Sequence, residues 1–151
     1  MKGKLDAAFS LYPVDTSRVI LTGMSGGGSF AHAMNFSYPG LADALVINTG
    51  MVWGQTIPEG TFNGPDWYGD TSSRANNLRI QFSGKSRQLI VFLASPTDFR
   101  YEEMQRDNDL YGNKLRWGVY WTEFAGGHVM APPTKYTEAF DWITTRAVWV
   151  N

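Results

Sequence analysis

Three residues of this 151-residue chain have the types and settings needed for nucleophilic chemistry. Ser25 lies in Gly23-Met24-Ser25-Gly26-Gly27-Gly28, directly after the β-branched apolar run Val19-Ile20-Leu21-Thr22. A serine hydroxyl attacks a carbonyl carbon only when a base takes its proton. The chain holds two histidines, His32 and His128. His128 follows Gly126-Gly127 at the end of a strand-like segment, and an imidazole titrates near neutral pH, so it suits the base. Asp98 closes the run Leu89-Ile90-Val91-Phe92-Leu93-Ala94 through Ser95-Pro96-Thr97 and would orient that base and stabilise its imidazolium. Helix capping is its other expected task. Glu102, Glu103 and Asp107 compete for the acid's role but fall on the following helix, where a solvated face is expected.

The elements needed to position these residues are legible as alternating patterns. Segments 18–22, 43–48, 88–94 and 116–124 read as strands, the first as a run buried on both faces and the third as the clearest buried run. Segments 29–38, 101–111 and 134–146 read as helices, with one more before residue 12. On the helix after Ser25, Phe30, Ala33 and Met34 are expected to face inward, together with Ala31, and His32 to lie on the surface in a structural role. Strands alternating with helices argue for an α/β fold, a mainly parallel sheet with flanking helices, in one domain over 1–151. Ser25, Asp98 and His128 each follow the carboxyl end of an expected strand, where such sheets gather their function.

Gly23-x-Ser25-x-Gly27 between strand and helix fits the sharp turn that lifts a nucleophile above a sheet. Glycines two places before and after Ser25 are expected to avoid collision with the neighbouring strand and helix. The Gly26 N–H, at the helix start, is the expected oxyanion donor. A phosphate-binding loop is the alternative, but no Gly-Lys-Ser/Thr ending follows, and the glycines do not give G-x-G-x-x-G.

Between 49 and 70 runs a Gly-, Pro- and aromatic-rich stretch, followed by a short expected helix at 71–78. Loops of this length inside a domain are often functional. Trp53 there, with Met24 beside the nucleophile, is a candidate for substrate contact; packing is the favoured role for Trp53, Phe62, Trp67 and Tyr68 as a group.

Composition narrows the partners. With 43% hydrophobic and 18% charged residues the chain reads as globular. A net charge of −1 without a basic run argues against nucleic acid. No apolar run is long enough to span a bilayer, and the first residues lead into no signal-peptide core, which leaves the location open, cytoplasmic by default. Absence of Cys excludes disulfides, thiolate metal sites and a cysteine nucleophile. The histidines are not at ligand spacing and the acids are scattered, so no metal is expected, and the acyl-transfer chemistry requires no cofactor.

The segment Val14-Asp15-Thr16-Ser17-Arg18-Val19-Ile20-Leu21-Thr22-Gly23-Met24-Ser25-Gly26-Gly27-Gly28 resembles the nucleophile region of the α/β-hydrolase superfamily, in its esterases of the polyhydroxybutyrate-depolymerase and feruloyl-esterase type. Thr97-Asp98-Phe99-Arg100-Tyr101-Glu102-Glu103-Met104 is similar to the acid region of related esterases, and Gly126-Gly127-His128 with Pro132-Pro133 to their histidine loop. The resemblance implies a Ser25–His128–Asp98 triad that cleaves a carboxylic ester of a small molecule through an acyl-enzyme. It matches only the C-terminal half of that fold, so a truncated or minimal version is expected. Members of the family carry strands before the nucleophile, and a loop there that supplies a second oxyanion N–H. Here the strand before Ser25 becomes a sheet edge, and such an edge is a pairing site. Self-association, as a symmetric dimer or larger assembly, is the expectation that follows. A neighbouring subunit, Gly27 or a side chain would then supply the second donor. The alternatives are a weakly active or inactive hydrolase serving as an assembly or binding module, and a peptidase of the same superfamily.

Overall fold

Two apolar runs build the centre of the sheet. In the computed structural model, which describes residues 2–38, 40–51, 88–114 and 116–146, they form β2 (Ala44–Asn48) and β3 (Leu89–Ala94), buried at every position. Side chains alternate between faces along a strand. Leu45, Ile47, Ile90, Phe92 and Ala94 therefore enter one core, with Ala31, Met104 and Tyr111, while Ala44, Val46, Leu89, Val91 and Leu93 enter a second, with Ala139 and Ile143.

The described strands form a four-stranded sheet in sequence order, parallel throughout, with β1 (Ile20–Met24) and β4 (Gly118–Glu123) at its edges. In chain order the described elements are helix α1 (Lys2–Leu11), β1, α2 (Gly26–Ser37), β2, β3, α3 (Tyr101–Asp109), a π-helical turn (Leu110–Lys114), β4 and α4 (Pro133–Arg146). The fold class expected from the sequence is the one observed. The expected helix at 71–78 lies outside the described residues, as do Trp53, Phe62, Trp67 and Tyr68.

Three local expectations are corrected. β1 is half-buried, with Thr22 exposed, where burial on both faces was expected: an edge strand has one neighbour to shield it. Phe30 is 42% exposed and Ala33 only half-buried; Ala31 and Met34 face inward as expected, joined by Ser29, His32 and Asn35. The helix begins at Gly26 rather than at 29, which advances its phase relative to the sheet. His32 consequently lies fully buried rather than on the surface, its Nδ1 at 2.7 Å from the Tyr111 hydroxyl and its ring stacked on the Tyr111 ring at 5.6 Å.

Burial pushes the His32 pKa down to about 3 from the ordinary 6.5. The sign follows directly. An unfolded chain takes up a proton at His32 below about pH 6.5, whereas the folded chain does not until about pH 3, so stability is complete above that window and falls with pH inside it. Between pH 7 and pH 5 wild type should lose about 2 kcal/mol more stability than His32→Leu, as read by urea denaturation. Equal losses in the two proteins would contradict a neutral buried imidazole.

Candidate active site

Parallel pairing ends β1, β2 and β3 side by side, with Met24 opposite Asn48 and Asn48 opposite Leu93. At that end the chain turns from β1 into α2 within one residue. Ser25 makes the turn with φ 52° and ψ −120°, a conformation that costs on the order of 1–3 kcal/mol and persists only where its surroundings enforce it. Its N–H donates to the Asn48 carbonyl at 2.9 Å, and its own carbonyl accepts the Ser29 N–H at 3.0 Å, so the residue is tied to both the sheet and the helix. The glycines around it do not share one purpose. A Cβ on Gly23 would sit 2.3 Å from the Gly27 carbonyl carbon and oxygen, whereas one on Gly27 would meet nothing within 4 Å. This corrects the expectation that both flanking glycines avoid a collision: contact is concentrated where strand and helix cross, at Gly23.

The three residues singled out from the sequence converge here. His128 Nε2 lies 2.8 Å from Ser25 Oγ, and His128 Nδ1 lies 2.8 Å from Asp98 Oδ2. An ionised carboxylate only accepts, so Nδ1 carries the proton and donates it to Asp98, which leaves Nε2 bare to accept the Ser25 hydroxyl. The Asp98 side chain is fully buried and that of His128 is 28% exposed, so the carboxylate is shielded from water while the imidazole stays reachable. Asp98 Oδ1 also accepts the Arg100 N–H at 2.7 Å, but the N-cap position of α3 is held by Arg100, so the expected capping role is corrected: the Asp98 carboxylate closes the turn ahead of the helix while its other oxygen meets His128. Glu102 and Glu103 lie in the first turn of α3 and Asp107 is buried further along it. The Gly26 N–H opens the first turn of α2 and has no intrahelical acceptor, as is true of the Gly27 N–H. Met24 is half-buried at the end of β1, next to Ser25; Trp53 falls outside the described residues.

The loop that carries His128 is clamped on both sides. Gly126 and Gly127 take φ of 133° and 71°, which only glycine adopts without strain, and the Gly127 N–H donates to Ser95 Oγ at 2.9 Å. The Val129 N–H closes back on the Gly127 carbonyl at 3.0 Å, making a tight turn centred on His128. Beyond it, Asn48 Nδ2 donates to the Val129 carbonyl at 3.3 Å and Asn48 Oδ1 accepts the Ala131 N–H at 2.7 Å. The Tyr136 hydroxyl also donates to Asn48 Oδ1, at 3.0 Å, and burial raises its pKa, which keeps it protonated. Phe99 is 71% exposed with its ring centroid 4.6 Å from that of His128.

Asn48, Ser95 and Phe99 were not among the sequence-derived site residues. Asn48 and Ser95 were visible only as polar residues at the ends of apolar strands, a position that would have earned them notice. For Phe99 the adjacency to Asp98 was the available signal.

Among the described residues no group of three or more His, Asp or Glu could hold a metal ion, and no helix is long and apolar enough to cross a membrane. No protein-family model matches the chain, and no curated protein matches it in sequence. Solved structures do match. A carboxylesterase of Bacillus cereus superposes with a TM-score of 0.59 at 16% identity, over 93% of this chain and 56% of its own. The fluorophosphonate-binding serine hydrolase F of Staphylococcus aureus gives 0.61 at 15% identity, over 95% and 60%. The capsule O-acetyltransferase of Neisseria meningitidis serogroup A gives 0.58 at 15% identity, over 96% and 63%. The chain thus spans about three fifths of the length of these three structures. With four parallel strands and flanking helices among its described residues, the chain carries part of the α/β-hydrolase fold.

Proposed function

We propose that the chain is a serine hydrolase that cleaves a carboxylic ester through an acyl-enzyme. The unbroken hydrogen-bonded path from Ser25 Oγ through the His128 ring to buried Asp98 carries this reading. Likeness in fold to esterases and serine hydrolases supports it.

The reaction runs as two acyl transfers. Ser25 Oγ attacks the ester carbonyl carbon while its proton moves to His128 Nε2. Negative charge gathers on the carbonyl oxygen, where the Gly26 N–H and the dipole of α2 stabilise it. Asp98 holds the resulting imidazolium by the Nδ1–H bond without taking the proton. The C–O bond to the alcohol breaks, His128 passes its proton to the leaving oxygen, and Ser25 is left as an ester. Water then gives a proton to His128 and attacks the same carbon. Ser25 leaves with that proton returned to its oxygen, and a carboxylic acid is released.

The test is covalent. A fluorophosphonate, the probe named for one of the structural neighbours, should add a single phosphonyl group at Ser25, located by peptide mass spectrometry. Turnover of p-nitrophenyl esters of graded acyl length should accompany it. A chain that leaves Ser25 unmodified at millimolar probe and hydrolyses none of the esters would overturn the proposal in favour of a binding module. Peptide anilides tested in parallel separate amide from ester cleavage.

A further inference from the structure

Asn48 is fully buried at the carboxyl end of β2, one residue beyond the last apolar position of that strand. A side-chain amide offers two N–H donors and two acceptor lone pairs. All four are engaged: Nδ2 donates to Thr49 Oγ1 at 3.2 Å and to the Val129 carbonyl at 3.3 Å, and Oδ1 accepts from the Ala131 N–H at 2.7 Å and from the Tyr136 hydroxyl at 3.0 Å. The backbone N–H of Ala131 can only donate and the carbonyl of Val129 can only accept, so the amide has one possible orientation. Its main-chain carbonyl meanwhile accepts the N–H of Ser25 at 2.9 Å. One residue therefore touches the backbone of Ser25 and the segment immediately after His128, two parts of the chain separated by 103 positions.

We infer that Asn48 is the positioning residue that sets the distance between the hydroxyl of Ser25 and the imidazole of His128. The inference rests on the hydrolase reading proposed above and adds to it a residue that touches no reacting atom. The imidazole is held at Nδ1 by Asp98, but a ring pinned at one atom can still swing about that contact. Fixing the main chain on both sides removes the swing. Ser95 holds Gly127 before the ring, and Asn48 holds Val129 and Ala131 after it. Because Asn48 also holds Ser25, any movement of the loop relative to the nucleophile must break hydrogen bonds made by a fully buried amide. Polar groups buried in this way are costly to leave unpaired.

Three variants grade the effect. Asn48→Ala removes every side-chain bond. Asn48→Asp keeps the size and the acceptors for Ala131 and Tyr136 but loses the donor to the Val129 carbonyl. Tyr136→Phe removes one of the four bonds to the Asn48 amide. Phosphonylation of Ser25 by a fluorophosphonate, measured per folded molecule, should slow by roughly ten- to a hundredfold in Asn48→Ala, since small displacements of a catalytic group cost rates of that order. Asn48→Asp should fall between Asn48→Ala and wild type, and Tyr136→Phe should slow by a fewfold. In a His128→Ala background, adding Asn48→Ala should change the residual rate no further, a result that simple loss of stability would not produce. Proton NMR supplies a second readout, because the Nδ1–H between His128 and Asp98 resonates at low field in wild type and should broaden or vanish in Asn48→Ala.

Wild-type labelling and an intact low-field resonance in folded Asn48→Ala would overturn the inference. If Asn48→Ala does not fold, Asn48→Asp and Tyr136→Phe decide in the same way: both unchanged overturns it, graded slowing supports it. If wild type itself is not labelled, the hydrolase reading fails, and the resonance alone then judges the positioning role: its loss in Asn48→Asp supports the role and its retention overturns it.

Discussion

Replacing Ser25 by Ala is expected to lower kcat for ester hydrolysis by roughly 10⁶, His128→Ala by about as much, and the double variant by no more than either. In the mechanism proposed above these residues act in one step. Without the hydroxyl nothing attacks the carbonyl, and the base has no proton to take. Without the imidazole the hydroxyl remains a weak nucleophile. Removing the second partner then subtracts nothing further. Asp98→Asn should cost roughly 10⁴. An amide nitrogen can donate to His128 Nδ1 and turn the ring to the tautomer that presents a proton to Ser25, although the amide fits the buried space now held by the carboxylate. Steady-state kinetics on a p-nitrophenyl ester, corrected for the uncatalysed rate, measures all four variants. Losses from Ser25→Ala and His128→Ala that multiply in the double variant would mean that the two side chains act separately, against a shared proton path.

The second large effect is on folding. Gly23→Ala should destabilise the protein by ~3 kcal/mol or more, because overpacking against an unyielding neighbour falls at the upper end of core substitutions. The added methyl would lie 2.3 Å from the Gly27 carbonyl carbon and oxygen and 2.7 Å from the Gly28 nitrogen, all of them backbone atoms. To make room, either the first turn of α2 must lift or the end of β1 must shift, and both carry Ser25. Gly27→Ala is the internal control. It introduces the same methyl into open space on the same turn, so it should be neutral or stabilise by up to about 1 kcal/mol through helix propensity. Urea denaturation of the two variants beside wild type gives the comparison. A Gly23→Ala protein as stable as Gly27→Ala would mean that the crossing of strand and helix is looser than its geometry indicates.

Local pattern carried much of the fold. β2 and β3 were legible because a run of Val, Leu, Ile and Ala buried on both faces has few other uses in a short segment. Helix α4 was legible from the prolines at its start, and its observed beginning at Pro133 differs from the expected one by a single position. α2 was placed three residues late, because Gly26, Gly27 and Gly28 have poor helix propensity and are helical only where β1, β2 and the tight turn hold them. That shift carried its inward face with it: Phe30 turned toward solvent and His32 into the core. Periodicity gives the spacing of an apolar face, but its phase depends on where the helix starts.

By itself the sequence determined that Ser25, Asp98 and His128 each follow the carboxyl end of a strand, since strand signals, glycine turns and residue type are local properties of the chain. What only the tertiary structure decided is that parallel pairing of β1, β2 and β3 and the loop after β4 bring these residues to one rim, within 2.8 Å at each step. It also decided the part of Asn48, whose four side-chain partners include residues 81, 83 and 88 positions away. No local pattern can report such contacts, because a hydrogen-bonding amide at a strand end looks the same in sequence whether it faces water or holds a loop in place.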